Sequence, residues 1–254
     1  MKPTKKAFDI GTALDAYLLE GEKVWRTLPQ GTRLNTKAGK EAYAELALDL
    51  PKGYCILKHE EAQDIEGMIA SVMAHKEARK LIQHDDLEPH KILQWKTVVG
   101  RGEGMDVVKC KAELDALIVW INRSAKIVDL KTTTDASPDG FEKAISNFHY
   151  HLQSAFYVDA VANIYGLPHE SVEFYFLAVE KTPPYAVLLC PLGEDFIDQG
   201  RREYMQALRV YLDCVDKAKQ VDHPREAWHG YNAPPSLGLK PWRWDSVTRK
   251  RLIG

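Results

Sequence analysis

Between Lys91 and Thr133 the chain carries four segments rich in β-branched and aromatic residues, KILQWKTVVG, MDVVKCKAEL, DALIVWI and AKIVDLKTT, separated by the turn-forming stretches GRGEG and NRS. Helical periodicity lies on both sides of this block, so the fold must lay helices against a sheet whose first part is an antiparallel meander of three or four strands. Upstream, Phe8, Ile10, Ala13, Leu14, Tyr17 and Leu18 predict a first helix that stops at Glu20-Gly21. A second pattern runs from about residue 35 to Pro51, and a third, read as one long helix, from about Glu60 to Gln83. Downstream, one helix opens at Pro138 and another covers about Tyr150 to Tyr165. Two further strands, VEFYFLAVE and YAVLLCPL, bracket the turn KTPP, and a last helix spans about Glu194 to Lys219. This reads as one α/β domain over 1–254: a mainly helical part at about 1–88, a core at about 89–220, and a tail at 221–254 holding four of the thirteen prolines and three of the six tryptophans.

Composition excludes more than it identifies. A chain of 254 residues with 45% in the hydrophobic set can bury a core without disulfides. Its four cysteines, at 55, 110, 190 and 214, form no Cys-x-x-Cys or Cys/His pair of metal-site spacing, and read as buried thiols of a reducing compartment. No apolar run reaches the ~18 residues of a membrane span and no signal-peptide pattern opens the chain, so no membrane partner and a cytoplasmic location are expected. The net charge of −2 announces no nucleic-acid partner; any such contact must rest on a local site.

One strand breaks its own pattern. In AKIVDLKTTT, Asp129 and Lys131 stand two apart, so they leave the same face with about 6–7 Å between their Cα atoms. Alone, the pair reads as a salt bridge on a solvent-facing strand. It has company, however: Asp115 opens DALIVWI, and a hairpin through Asn122-Arg123-Ser124 would bring it beside Asp129. Two converging carboxylates, a backbone carbonyl and a nearby ammonium make an all-oxygen site for a hard divalent cation, of the kind used in phosphodiester hydrolysis. On the following helix Gln153 and Tyr157 are four apart and share a face, a spacing common in any amphipathic helix.

Taken together, Asp115, Asp129-Leu130-Lys131 and the run Tyr150-His-x-Gln153-x-x-x-Tyr157 resemble the PD-(D/E)xK nuclease superfamily, and within it the phage RecE-like exonucleases of the exonuclease VIII group. GTALDAYLLE at 11–20 is similar to that group's GT-x-x-H helix, VEFYFLAVEKTPPY at 172–185 to its late hairpin, and Trp228–Tyr231 with LGLKPW at 237–242 to its closing elements. The resemblance implies a restriction-endonuclease-like core, a central mixed sheet flanked by helices. It implies that Asp115, Asp129 and the Leu130 carbonyl hold Mg²⁺, with Mn²⁺ as the other fitting ion, that Lys131 is the catalytic lysine, and that Gln153 and Tyr157 organise the site and help hold DNA. It also implies 5′→3′ digestion of one strand at double-stranded DNA ends, a RecT-like single-strand annealing partner, and a ring-shaped homo-oligomer, typically a tetramer. The departure is Asp15, which stands where the group has His; a carboxylate oxygen can replace an imidazole nitrogen on a hard cation, so Asp15 joins the expected metal ligands.

The competing readings are a RecB-like or iron–sulfur nuclease of the same superfamily, the latter opposed by the scattered cysteines, and a DNA-binding or interaction module of the same fold that has lost catalysis. His149 and His151 read as surface or capping residues, Trp95 and Trp120 as core or interface, and Arg201, Arg202 and Arg209 as a solvated helix face.

Overall fold

A computed structural model describes residues 5–121 and 123–220. Its first helix, α1 (Lys5–Glu20), buries Ala13, Leu14, Ala16 and Leu18 and ends at Gly21, whose positive φ of 73° suits a residue without Cβ. Two short strands absent from the sequence reading follow: β1 (Trp25–Thr27) pairs in parallel with β2 (Cys55–Leu57), and α2 (Lys37–Ala47) lies between them. Arg26 closes this unit by donating to the carbonyls of Leu46 (2.8 Å), in the last turn of α2, and Asp49 (2.9 Å), just beyond it.

The long third helix of the sequence reading is two helices, α3 (His59–Ala74) and α4 (Lys76–Ile82). The break is His75, which leaves the helical region with ψ 106° and accepts the Ala78 amide on Nδ1 (3.2 Å), doing as an N-cap what Ser or Asp usually does.

The main sheet has five strands in sequence order: β3 (Leu87–Arg101), β4 (Gly104–Trp120), β5 (Ser124–Thr133), β6 (Val172–Glu180) and β7 (Val187–Pro191). Neighbours are antiparallel except β5 and β6, which run parallel and are therefore joined by a crossover through α5 (Pro138–Phe148) and α6 (Tyr150–Tyr165). MDVVKCKAEL and DALIVWI, read as two strands, form the single strand β4. The misreading has a physical source: up to Leu114 only Val108, Cys110, Ala112 and Leu114 are buried, in strict alternation, whereas from Ala116 to Ile118 every residue is buried. The sheet passes at Asp115 from one covered face to two.

Ser137 caps α5 by accepting the Gly140 amide (3.1 Å), and Pro138 takes the first helical position, where its missing N–H costs nothing. α1, α3 and α4 pack with Ala116, Val128, Leu177 and Val179 in one core cluster. The last helix, α7, runs from Glu194 to Lys219. The chain divides into two compact units, Met1–Gln206 and Ala207–Gly254; the described part of the second, 207–220, is the C-terminal stretch of α7, with an Asp216–Lys219 ion pair.

Candidate functional site

The register of the sheet assembles the site. β4 pairs with β5 through Ala116↔Val128, so the next position along brings Asp115 opposite Asp129. On its other side β4 pairs with β3 through Pro89↔Ala116 and Lys91↔Leu114, which brings His90 opposite Asp115. One row across three strands thus carries an imidazole and two carboxylates. Asp115 Oδ2 accepts the Leu130 amide at 2.8 Å, tying the first acid to the backbone that follows the second.

Asp129 has a side chain only 1% exposed, and its two oxygens are treated differently. Oδ1 accepts from Gln153 Nε2 at 2.9 Å, and the same amide also donates to the Tyr157 hydroxyl at 3.1 Å, so α6 grips the carboxylate from above. Oδ2 faces the Lys131 ammonium as an ion pair but has no well-directed hydrogen-bond donor. A buried carboxylate matched on one oxygen by an ammonium, with a second acid beside it, is an oxygen-rich pair that a divalent ion would fit. The Lys131 ammonium lies 5.1 Å from the centre of the Tyr150 ring, over its face, while Tyr150 itself packs with Phe141, Phe148 and Phe176.

The electrostatics are those of an over-acidic site. Burial pushes Asp129 up to about 6, helped by Asp115 and opposed by Lys131. Burial also lifts Asp15 of α1 to about 7, with Asp115, Glu20 and Asp129 adding to the rise and His90 opposing it. Lys131 is pulled down by burial, yet Asp129 and Asp115 outweigh this and hold it above its ordinary value. Tyr157 and Tyr150 are raised, in both cases mainly by burial. Protons therefore stand in for missing positive charge, and a bound cation would displace them.

Asp115, Asp129, Lys131, Gln153 and Tyr157 are brought together as the sequence reading expected, Leu130 contributes its N–H to the cluster, and Asp15 lies within electrostatic reach of both central acids. Gln153 reaches Asp129 directly, which makes it an organiser of the carboxylate. Tyr150, quoted in the motif without a role, and His90, not singled out at all, also belong to the cluster. Tyr150 shares a helix face with Gln153 and Tyr157, three and seven residues on, a spacing visible in the sequence. His90 has a left-handed φ of 48° and sets Nε2 3.3 Å from Asp15 and 3.7 Å from Glu20, with Nδ1 4.0 Å from Glu113. Only the pairing of β3 with β4 reveals it.

Other expectations need correction. His149 does cap, between α5 and α6, but His151 is 8% exposed and meets Glu203 of α7. Arg201 does not face solvent alone: it forks onto Asp159 through Nε and Nη2 (2.7–3.1 Å) and also binds Asp198, because α7 packs against α6 there. Trp95 is buried against Phe156 as expected, their ring centres 4.7 Å apart. The Trp228–Tyr231 and 237–242 elements lie outside the described residues. A cavity of about 400 Å³ lined by Val158, His169, Phe174, Ile197 and Arg201 contains none of the site residues; the carboxylate row lies elsewhere.

Comparison with known proteins bears on the family and the fold. Residues 2–227 match the family described as a PDDEXK-like domain of unknown function (DUF3799). The crystal structure of a candidate exonuclease from Eubacterium rectale superposes with a TM-score of 0.55 at 14% identity, covering 96% of this chain and 80% of that one, a likeness of fold. A structure of a protein named SSO0001 covers 82% of this chain and 87% of its own at 16% identity, with a TM-score of 0.32, too low to bear on the fold. No curated protein matches the sequence. With the family model spanning most of the chain, and a mixed five-stranded sheet flanked by helices beneath it, this protein belongs to the PDDEXK-like family.

Proposed function

We propose that this protein is a metal-dependent exonuclease that hydrolyses phosphodiester bonds at the ends of double-stranded DNA. The observation that carries the reading is the buried Asp129 carboxylate, with one oxygen held by Gln153 and the other paired with Lys131, beside the second acid Asp115. Asp115, Asp129, the Leu130 carbonyl and Asp15 are the residues that would hold Mg²⁺ or Mn²⁺. When bound, that ion supplies positive charge to the scissile phosphate and lowers the pKa of water at the site.

The chain's own groups do the rest. Lys131 Nζ, kept protonated by Asp129 and Asp115, orients the attacking water and offers charge to the phosphate as it becomes more negative. The water oxygen bonds to phosphorus while the P–O3′ bond breaks, leaving a 5′-phosphate and a 3′-oxygen that takes up a proton. Gln153 and Tyr157 keep Asp129 from turning away, and His90 positions Asp15 from the neighbouring strand.

The finer reading, 5′→3′ digestion in phage-type recombination with a RecT-like annealing partner and a ring-shaped oligomer, rests on the similarity of the motifs to RecE-like exonucleases. Linear duplex labelled at one end, incubated with Mg²⁺, tests the activity and its polarity. Wild type should release label from the 5′ end and leave closed circles intact, while Asp129→Ala and Lys131→Ala should not. Equal activity in all three proteins would overturn the assignment. Duplex retention with no Mg²⁺ or Mn²⁺ binding by calorimetry would instead favour a binding module that has lost catalysis, the alternative suggested by Asp15.

A further inference from the structure

A second group of ligating side chains lies where α5, α6 and α7 meet. His149 is the single residue between α5 and α6, and its left-handed backbone (φ 57°, ψ 35°) turns the chain sharply enough for one helix to follow the other at once. Its imidazole stays half-exposed. His151 lies in the first turn of α6 and is buried, and Glu203 comes to both from α7.

Gly200 makes this convergence possible. A Cβ at that position would stand 1.9 Å from the His151 carbonyl oxygen, so only glycine lets α7 lie backbone to backbone against the start of α6. Glu203 follows three residues later, on the same face of α7. Gln199 Nε2 donates to Glu203 Oε1 at 2.7 Å, which leaves Oε2 for the imidazoles: 3.1 Å from His151 Nε2 and 3.8 Å from His149 Nδ1. All three ligand atoms lie within 4.8 Å of one another. In a tetrahedral site with bonds of about 2.0–2.1 Å, ligand atoms are about 3.3 Å apart, so closing on an ion needs only a small movement of the exposed His149 side chain.

We propose that His149, His151 and Glu203 form a second metal site, taking Zn²⁺ or a similar borderline cation with solvent in the fourth position. Two imidazoles and one carboxylate suit zinc better than Mg²⁺, which favours oxygen ligands, so this site and the carboxylate row select different ions. Its consequence is mechanical: the ion would tie the first turn of α6 to α7, and that turn carries Tyr150 and leads on to Gln153 and Tyr157.

The full chain, stripped of metal, would be titrated with Co²⁺, whose visible absorption reports nitrogen and oxygen ligands in a tetrahedral field, and then with Zn²⁺ in competition. In Asp115→Asn/Asp129→Asn protein, which lacks the carboxylate pair, one Zn²⁺-displaceable site should remain. His149→Ala and Glu203→Gln should each weaken it by more than about 100-fold, since even outer-shell changes at metal sites cost 10–100-fold. In the Asp115→Asn/Asp129→Asn background Zn²⁺ should raise the melting temperature, and adding Glu203→Gln should abolish that rise. The half-exposed His149 provides a variant that keeps its fold, checked by circular dichroism. Loss of all Co²⁺ binding in the Asp115/Asp129 variant would overturn the proposal, as would undiminished binding in His149→Ala and Glu203→Gln.

Discussion

The two halves of β4 obey different rules. From Gly104 to Leu114 the strand alternates, with Lys109, Lys111 and Glu113 exposed and Val108, Cys110, Ala112 and Leu114 buried; from Ala116 to Ile118 nothing alternates and everything is buried. Asp115 occupies the boundary, and Asp129 and His90 stand beside it on the neighbouring strands. A carboxylate in the first half would be solvated and weakly perturbed, and one deep in the second half would be neutralised or excluded. The boundary is where burial is sufficient to make a carboxylate seek a cation while the site remains open to Lys131, Gln153 and Asp15. The site's chemistry thus depends on a change in how the sheet is covered.

The largest expected effect tests the boundary itself. Asp129→Ala removes the gripped carboxylate, and with it several kcal/mol of transition-state stabilisation, so Mg²⁺-dependent hydrolysis should fall by more than about 100-fold while the protein stays folded. A comparable loss from Glu113→Ala, in the alternating half, would show that position on the strand does not matter. Next in size, Leu117→Ala in the doubly covered half should destabilise by about 2–5 kcal/mol in urea unfolding, whereas Val107→Ala, exposed in the first half, should stay within about 0.5 kcal/mol. Equal costs would erase the distinction.

A third test uses protons. Asp129, held near 6, and Asp15, held near 7, bind protons more tightly folded than unfolded, where both titrate near 3.8. Their contribution to the stability of the metal-free protein is therefore fully present below about pH 4 and is lost as pH rises through 6 and 7. The melting temperature of metal-free protein should fall between pH 5.5 and 8 by more than in Asp15→Asn/Asp129→Asn, and Mg²⁺ should restore more at pH 8 than at pH 5.5. Parallel pH profiles would remove the electrostatic account. The smallest effect is Tyr157→Phe, which deletes one acceptor from Gln153 and should cost about 0.5–1.5 kcal/mol. Gln153→Ala should cost more, about 1–3 kcal/mol, because it also strips the donor from Asp129.

Much of this is legible in the amino-acid sequence alone. Helical period and β-branched runs located nearly every major element, since local periodicity follows directly from which face of a helix or strand meets the core. The errors fell where local pattern and tertiary context part. His75 breaks a periodic stretch by capping with an imidazole, which no propensity signals. β1 and β2 are too short to show a period, and β4 was divided because its covering changes midway. Arg201 and His151 looked like surface residues because the partners that bury them, Asp159 and Glu203, lie on other helices.

For the site, the chain by itself determined the chemical inventory: two acids and a lysine on adjacent strands, a Gln and a Tyr one helical turn apart, and an Asp on the first helix. The approach of Asp115 to Asp129 was inferable because a hairpin is a local constraint set over a few residues; that Gln153, Tyr157 and Asp15 join them was implied only by the resemblance of the motifs. The tertiary structure alone decided that His90 faces Asp15, that Tyr150 lies beneath Lys131, and that Gly200 lets Glu203 reach two histidines. Those contacts join residues from 19 to 75 positions apart in the chain. Nothing in local pattern encodes them, because they depend on how closely packed elements approach, which is settled only when the whole core closes.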